Sequence, residues 1–180
     1  MKRICIIVDM LEGFYRIGAL ANPRVANILP NIWKFINEED ISEYILLCDS
    51  HGTNDNEFRM FPPHSIAGSE EAKVIYELEN MLRDTDSSFF NISKSTFDGF
   101  YDTDLAEILE ILKPDEIIVM GVCTDICILF AVAGCKFRGY KTIVYSKCVE
   151  TYDTEDHNAD AWNTVALGYM KNVLGAEIRE

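Results

Sequence analysis

Short apolar runs rich in β-branched residues alternate along this chain with segments whose apolar residues recur at helical spacing. Such alternation is typical of βαβ units, in which helices cover a sheet of parallel strands. The runs predict strands at Arg3 to Val8, Tyr44 to Cys48, Phe89 to Ser93, Glu116 to Met120, Thr142 to Tyr145 and Ala176 to Ile178. The pattern therefore predicts an α/β fold built on a mostly parallel sheet.

Four helices are predicted between and after these strands. The first has an apolar face formed by Val25, Ile28, Leu29, Ile32, Phe35 and Ile36, and Pro30 either kinks it or marks a new start. A second face is formed by Leu105, Ile108, Leu109 and Leu112. The Ala-rich segment from Asp125 to Phe137 is closed by Gly139, as a helix leaving through a C-terminal glycine would be. The last helix is predicted from about Asn158 to Val173.

Size and charge narrow the class of protein. A chain of 180 residues with 48% hydrophobic content is expected to form one domain over residues 1–180. The net charge of −14 disfavours nucleic acid or an anionic membrane as a partner and favours a neutral or cationic small ligand. The apolar stretch near the N-terminus, Ile4 to Val8, is too short to span a membrane, so a cytoplasmic location is expected.

The six cysteines are expected to be reduced thiols, because the chain shows no secretion signal. Cys5 and Cys48 lie inside predicted strands and are most simply core residues. Cys123 and Cys127 are close enough in sequence to form a redox pair, but they lack the Cys-x-x-Cys spacing of a thioredoxin-like site.

Three predicted strands finish at reactive side chains. Asp9 follows the first strand, Lys94 follows the third, and Cys127 lies just beyond the fourth. Ligands of open parallel α/β sheets bind at the carboxyl ends of the strands, so these side chains are expected to converge on one crevice. Considered one at a time, Asp9 is also consistent with an ordinary turn residue, and Lys94 is consistent with a solvated residue at a strand end.

The stretch from Val119 to Cys127 runs from an apolar strand through a tight turn into a helix start. Free backbone N–H groups and the positive end of a helix favour a thiolate there, and the same turn offers donors to an oxyanion. The alternative for Cys127 is a small buried hydrophobe.

Polar residues that suit a metal ion follow the second strand. Asp49 and His51 are two positions apart on extended backbone and therefore point the same way, while Glu57 and His64 lie in the loop that follows. Carboxylate and imidazole ligands suit Zn²⁺, Mn²⁺ or Fe²⁺. The alternative is a polar strand end followed by a solvated loop.

Three segments of the chain resemble the cysteine hydrolases of the isochorismatase and nicotinamidase group, whose triad is Asp, Lys and Cys in that order. They are Ile7 to Phe14, Lys94 to Phe100 and Gly121 to Ile128, and the last, with its Gly-Val-Cys-Thr-Asp-Ile-Cys, is the most specific. The resemblance implies a three-layer α/β/α sandwich with a six-stranded, mostly parallel sheet. It also implies a catalytic triad of Asp9, Lys94 and Cys127, and a cis peptide bond between Val122 and Cys123. Many members carry Gln at the position of Leu11.

The nicotinamidases in this group bind a divalent metal, and the resemblance implies the ligands Asp49, His51, Glu57 and His64. Zinc is the expected ion, with manganese or iron as alternatives, and Asn54 or Asp55 would replace Glu57 if it pointed away. In nicotinamidases the ion binds the pyridine nitrogen of the substrate.

Phe14 and Phe61 are predicted to close over the flat substrate ring, whereas Phe97 and Phe100 are weaker candidates for the pocket wall. For each of these residues the alternative is plain core packing. His157 is left out of the metal group, since local polar contacts before a helix start explain it better.

The predicted reaction is hydrolysis of nicotinamide to nicotinate and ammonia through a thioester, with the backbone N–H groups of Cys123 and Cys127 as the oxyanion hole. Two alternatives stay open. One is a metal-independent relative acting on an isochorismate-like vinyl ether or on a ureido or carbamoyl amide, and the other is a non-catalytic small-molecule-binding module on the same fold. A homo-oligomer is expected because relatives commonly form dimers or tetramers.

Overall fold

The computed structural model describes all residues from 1 to 180 and contains one sheet of six parallel strands in the order β3-β2-β1-β4-β5-β6. The strands are β1 (Arg3–Val8), β2 (Glu43–Asp49), β3 (Ser88–Lys94), β4 (Glu116–Val122), β5 (Thr142–Glu150) and β6 (Glu177–Arg179). All six lie where the apolar runs predicted them, and the predicted three-layer α/β/α sandwich is confirmed.

Six helices cover the two faces of the sheet: α1 (Glu12–Tyr15), α2 (Val25–Glu38), α3 (Tyr76–Arg83), α4 (Leu105–Leu112), α5 (Leu129–Phe137) and α6 (Ala159–Asn172). One buried apolar cluster packs α2 and α3 on one face, and a second packs α4, α5 and α6 on the other. None of the helices has the length and apolar character needed to cross a bilayer.

The strand order explains where a site forms. The chain builds β1, β2 and β3 outward in one direction and then returns to place β4 on the other side of β1. Loops after β1 and β4 therefore diverge to opposite faces and leave a crevice at their carboxyl ends, which is where ligands bind in sheets of this kind.

Four local predictions differ from the structure. Pro30 lies inside one continuous helix, so it does not mark a new start, which was one of the two roles predicted for it. The fifth strand continues past Tyr145 to Glu150. Its half-buried Ser146 and exposed Lys147 lie where the pairing with β4 is irregular, and regular pairing resumes at Val149. The predicted helix from Asp125 begins as a π-helical turn over Thr124–Ile128 before α5. Helices α1 and α3 were not predicted, since α1 has four residues and α3 buries only two apolar side chains.

Gly121 permits the close approach of β4 to β1 at the crevice. Its φ is 115°, a conformation that side chains rarely adopt, and a Cβ there would overlap the carbonyl oxygen of Val8. The glycine is therefore required where the two strands that flank the crevice end.

Candidate active site

The structure brings together the acid, the amine and the thiol at the carboxyl ends of the strands. Lys94 Nζ lies 2.8 Å from Asp9 Oδ2 and 3.5 Å from Cys127 Sγ. Lys94 also forms an ion pair with Asp49, its register partner on the neighbouring strand. All four side chains are buried, so their charges interact through protein rather than through water.

Asp9 is held by backbone contacts on both sides. Its N–H donates to the carbonyl oxygen of Leu47 at 2.9 Å, and its Oδ1 accepts from the N–H of Asp49 at 2.8 Å. The residue has a φ of 51°, an uncommon conformation for a residue other than glycine that these contacts stabilise. Its Oδ2 is not held by the backbone and lies 2.8 Å from the Lys94 ammonium, on the side of the Cys127 thiol, so it is the oxygen placed to receive a proton.

Burial and the neighbouring charges set the protonation states. Burial and the charge of Asp49 raise the pKa of Asp9 to about 6, although Lys94 opposes them. Burial also raises the pKa of Asp49, but the Lys94 ammonium and contacts from the two histidines outweigh it and leave the pKa well below its ordinary value. For Lys94 the two carboxylates outweigh the effect of burial and raise the pKa. The site therefore contains an ammonium between two carboxylates.

The Cys127 side chain is a neutral thiol in this environment, whereas the sequence predicts a stabilised thiolate. Burial raises the pKa of Cys127 well above its ordinary value, and the opposing charge of Lys94 does not offset it. The helix start favours the thiolate, but burial of the sulfur atom outweighs that effect. The resting form is a neutral thiol that needs a base.

The turn before Cys127 exposes a backbone donor to the site. The Val122–Cys123 peptide bond is cis, as the resemblance implied. The carbonyl oxygen of Cys123 accepts from Ile126 and Ile128, whereas the N–H of Cys123 meets no acceptor in the chain. A free N–H next to the thiol is suited to bind a developing oxyanion.

Four buried side chains beside the triad form a group with ligand geometry. The ligand atoms of Asp49, His51, Glu57 and His64 all lie within 4.8 Å of one another. The distances from the two Nε2 atoms to Asp49 Oδ2 and Glu57 Oε1 range from 3.5 to 4.0 Å. Four ligands about 2.0–2.1 Å from a tetrahedral zinc ion stand roughly 3.3–3.4 Å apart. The group is therefore close to the size that such an ion requires.

Two features of this group fit a metal better than a hydrogen-bond network. His51 Nε2 is buried and makes no hydrogen bond, an arrangement that is costly unless an ion completes it. His64 Nδ1 lies 2.9 Å from the carbonyl oxygen of Pro62, which can only accept, so Nδ1 carries a hydrogen and Nε2, which points at the group, is the nitrogen that a metal ion would bind. The donor set of two nitrogens and two oxygens suits Zn²⁺, Mn²⁺ or Fe²⁺.

The alternative ligands are not members of this group. Asn54 is exposed, and Asp55 faces the other nitrogen of His51, with 3.3 Å between its Oδ2 and Nδ1. Asp55 also caps the short 3₁₀ helix Asn56–Arg59 by accepting from the N–H of Glu57. Asp55 thus lies beside His51 and holds the backbone of Glu57, but it does not take the place of either candidate ligand.

A cavity of about 460 Å³ opens onto the triad and the ligand group. Phe14 and Phe61 line it, and so does Phe97, one of the two weaker candidates for the pocket wall. The other, Phe100, packs in the core beneath Arg138 and is not part of the wall. The rings of Phe14 and Phe61 both stand edge-on to His64, with centroids 5.6 and 6.5 Å away. A flat ring can therefore lie among aromatic side chains beside the ligand group.

Sequence reasoning missed two stretches of the cavity wall. They are the segment from 19 to 25, which ends at the first residue of α2, and the loop from 152 to 154. Neither segment carries a recognisable motif. The tertiary path of the chain brings each of them to the cavity, and the spacing of apolar residues in the sequence does not show that path. Leu11, the departure from the family pattern, is fully buried and does not line the cavity.

Comparison with known proteins places this geometry in a family. The chain matches the isochorismatase domain over residues 3–176. It is 28% identical, over the full length of both chains, to an uncharacterised isochorismatase family protein of Bacillus subtilis.

Two solved structures share the fold over the whole of this chain. The nicotinamidase/pyrazinamidase of Bacillus subtilis has a TM-score of 0.81 at 26% identity and is covered over 100% of its length. The N-carbamoylsarcosine amidase of Thermoplasma acidophilum has a TM-score of 0.80 at 28% identity and is covered over 96%. With a family match across nearly every residue, the chain belongs to the isochorismatase-like hydrolase family.

Proposed function

We propose that this protein is a metal-dependent cysteine amidohydrolase that converts nicotinamide to nicotinate and ammonia. One observation carries the proposal. At the floor of the cavity, the buried Lys94 ammonium lies 2.8 Å from the Asp9 carboxylate and 3.5 Å from the Cys127 thiol. An acid, an amine and a thiol in contact supply a nucleophile and a base for it. The family resemblance to a nicotinamidase supports the same chemistry.

The first half of the reaction forms a thioester. The Cys127 thiol gives its proton to Asp9 Oδ2 as the sulfur attacks the amide carbonyl carbon. The Lys94 ammonium stabilises the negative charge on sulfur, and the N–H groups of Cys123 and Cys127 bind the oxyanion, a contribution of about 3 kcal/mol for each donor in comparable sites. The carbon–nitrogen bond then breaks as Asp9 passes the proton to the departing nitrogen, and ammonia leaves.

The second half returns the enzyme to its starting state. Asp9, again a carboxylate, takes a proton from water as the water oxygen attacks the thioester carbon. The carbon–sulfur bond breaks, and the sulfur recovers its proton from Asp9 to leave the carboxylic acid product. A carboxyl group whose pKa is raised to about 6 is suited to both roles near neutral pH.

Asp49, His51, Glu57 and His64 would hold the metal ion, which when bound supplies a coordination position for the pyridine nitrogen of the substrate. Asp49 contacts both the ligand group and Lys94, so it joins ring binding to the triad. Phe14 and Phe61 would lie against the substrate ring.

The charge of the cavity wall favours an uncharged amide. Four acidic residues line the cavity, Asp9, Asp49, Glu57 and Asp153, and no lysine or arginine does. A substrate that carries a carboxylate, such as isochorismate or an N-carbamoyl amino acid, would find no lysine or arginine side chain at the wall to pair with that group. Nicotinamide is neutral and needs no such partner.

The test is ammonia release over a panel of amides with and without a chelator, including nicotinamide, pyrazinamide and N-carbamoylsarcosine. We expect turnover of the two neutral aromatic amides and its loss after chelation. Cys127→Ala should abolish ammonia release without changing metal content, whereas Cys135→Ala, a buried cysteine outside the cavity, should retain activity. Full activity of the Cys127 variant would refute the mechanism, and ligand binding without turnover of any amide would favour a binding module.

A further inference from the structure

A cluster of polar and aromatic side chains joins the turn before Cys127 to the loop that follows β5. Its centre is Asp125, whose Oδ1 accepts from Thr151 Oγ1 at 2.6 Å and whose Oδ2 lies 2.8 Å from His157 Nε2. The side chains of Asp125 and His157 are 8% and 12% exposed. Both carboxylate oxygens are therefore held in a largely buried setting, where charge-assisted hydrogen bonds are strong.

The imidazole of His157 is fixed at its edges and on both faces. Nδ1 lies 2.8 Å from the carbonyl oxygen of Tyr152 and Nε2 lies 2.8 Å from the Asp125 carboxylate, and since both oxygens accept, each ring nitrogen donates a hydrogen to its own partner. The ring is parallel to those of Tyr152 and Trp162, with centroids 4.0 and 5.0 Å away and planes within 8°. The backbone of His157 also exchanges hydrogen bonds with Thr154. Together these hydrogen bonds and ring contacts hold the Nε2 atom in a defined position.

Asp125 lies between the two residues whose N–H groups are the proposed oxyanion donors, Cys123 and Cys127. The N–H of Cys123 has no acceptor of its own, so the direction in which it points depends on how the turn is held. The Asp125 side chain ties the turn to Thr151 and His157. Misplacement of reacting groups by about 1 Å can cost roughly a hundredfold in rate.

We propose that His157 is a positioning residue for the hydrolytic reaction, because its Nε2 holds Asp125 and thereby fixes the turn from 123 to 127 at the cavity floor. The inference rests on the proposed function. His157 does not line the cavity and touches neither the triad nor the ligand group. Its influence passes through Asp125, and a second contact passes to Tyr152, which does line the wall.

Two substitutions of similar size separate this role from a general contribution to folding. In His157→Gln the side-chain amide nitrogen can reach the place of Nε2 and still donate to Asp125. In His157→Asn the shorter side chain reaches only the place of Nδ1. We expect kcat for ammonia release to fall about 10- to 100-fold in the Asn variant and less than about threefold in the Gln variant, with KM changed less than kcat in both.

A second pair of variants tests the route through Asp125. Thr151→Val removes the other hydrogen bond to this carboxylate at nearly constant volume, and we expect it to lower kcat in the same way. In an Asp125→Asn background the difference between the two His157 variants should disappear, since the shared partner is altered. A thermal unfolding curve is measured for every variant, so that kcat is compared at a temperature at which all the variants are folded.

A readout independent of turnover is the alkylation rate of Cys127 by iodoacetamide, followed at that residue by mass spectrometry. We expect the His157→Asn variant to differ from wild type and the Gln variant to match it. Equal alkylation and kcat in all variants, or equal losses in the Asn and Gln variants, would overturn the positioning role. Absence of amide turnover by the wild type would refute the proposed function alone, and the alkylation rates would then decide the role of His157.

Discussion

Replacing Lys94 by Met tests whether the buried charges are arranged as described. The Lys94 side chain is 0% exposed and lies between Asp9 and Asp49, which are 1% and 2% exposed. Removing one partner of a buried ion pair leaves uncompensated charge and costs about 3–5 kcal/mol. Each kcal/mol moves the unfolding midpoint of a chain of this size by about 2–4 °C, so Tm should fall by roughly 6–20 °C.

The measurement is thermal and urea unfolding with a chelator present, so that bound metal does not contribute to stability. The matched control is Lys34→Met. The Lys34 side chain is 69% exposed, and its Nζ lies 3.9 Å from Glu38 Oε2 in an exposed pair one helical turn apart. Such exposed pairs contribute less than about 1 kcal/mol, so the control should unfold almost as wild type does. A Lys94→Met protein within about 1 kcal/mol of wild type would refute the account of an ammonium held between two carboxylates.

Three further predictions concern the ligand group, the crevice and the cavity wall. His51→Ala should lose the bound metal on dialysis while Cys127 remains open to alkylation; stoichiometric metal in the variant, measured by mass spectrometry, would argue against the ligand assignment. Gly121→Ala should lower the free energy of unfolding in urea by about 3 kcal/mol or more, because backbone strain adds to the overlap with Val8; an unchanged midpoint would contradict this. Phe14→Leu should raise KM for nicotinamide about 2- to 12-fold with little change in kcat, from the loss of about 0.5–1.5 kcal/mol of ring contact; an unchanged KM would place the ring elsewhere.

The strands were predictable because each is a short apolar run, and β1, β2 and β4 at the centre of the sheet are buried along nearly their whole length. Their ends were predicted within about two residues except in β5, where Ser146 and Lys147 interrupt the apolar run without ending the strand. Helices α2 and α4 were predicted from wide apolar faces. Helix α3 was not, since Leu78 and Leu82 alone are too few to show a period.

The side chains at the strand ends were predicted from their places in the sequence, and so was the group of Asp49, His51, Glu57 and His64. Their protonation states were not predictable in this way. The helix start before Cys127 suggested a thiolate, but the pKa depends on burial, which a local pattern does not report. His157 was interpreted as a residue with local contacts, and its link to Asp125, 32 positions away, appears only in the folded chain.

The order of apolar and polar residues by itself determined the class of fold and the positions at which reactive side chains follow the strands, because periodicity and strand ends are local properties of the chain. The tertiary structure alone decided that Lys94 pairs with both Asp9 and Asp49, that four acidic residues line the cavity, and that His157 reaches Asp125 in the turn before Cys127. Those features depend on strand order, register and exclusion of water, which arise from contacts between residues far apart in the sequence.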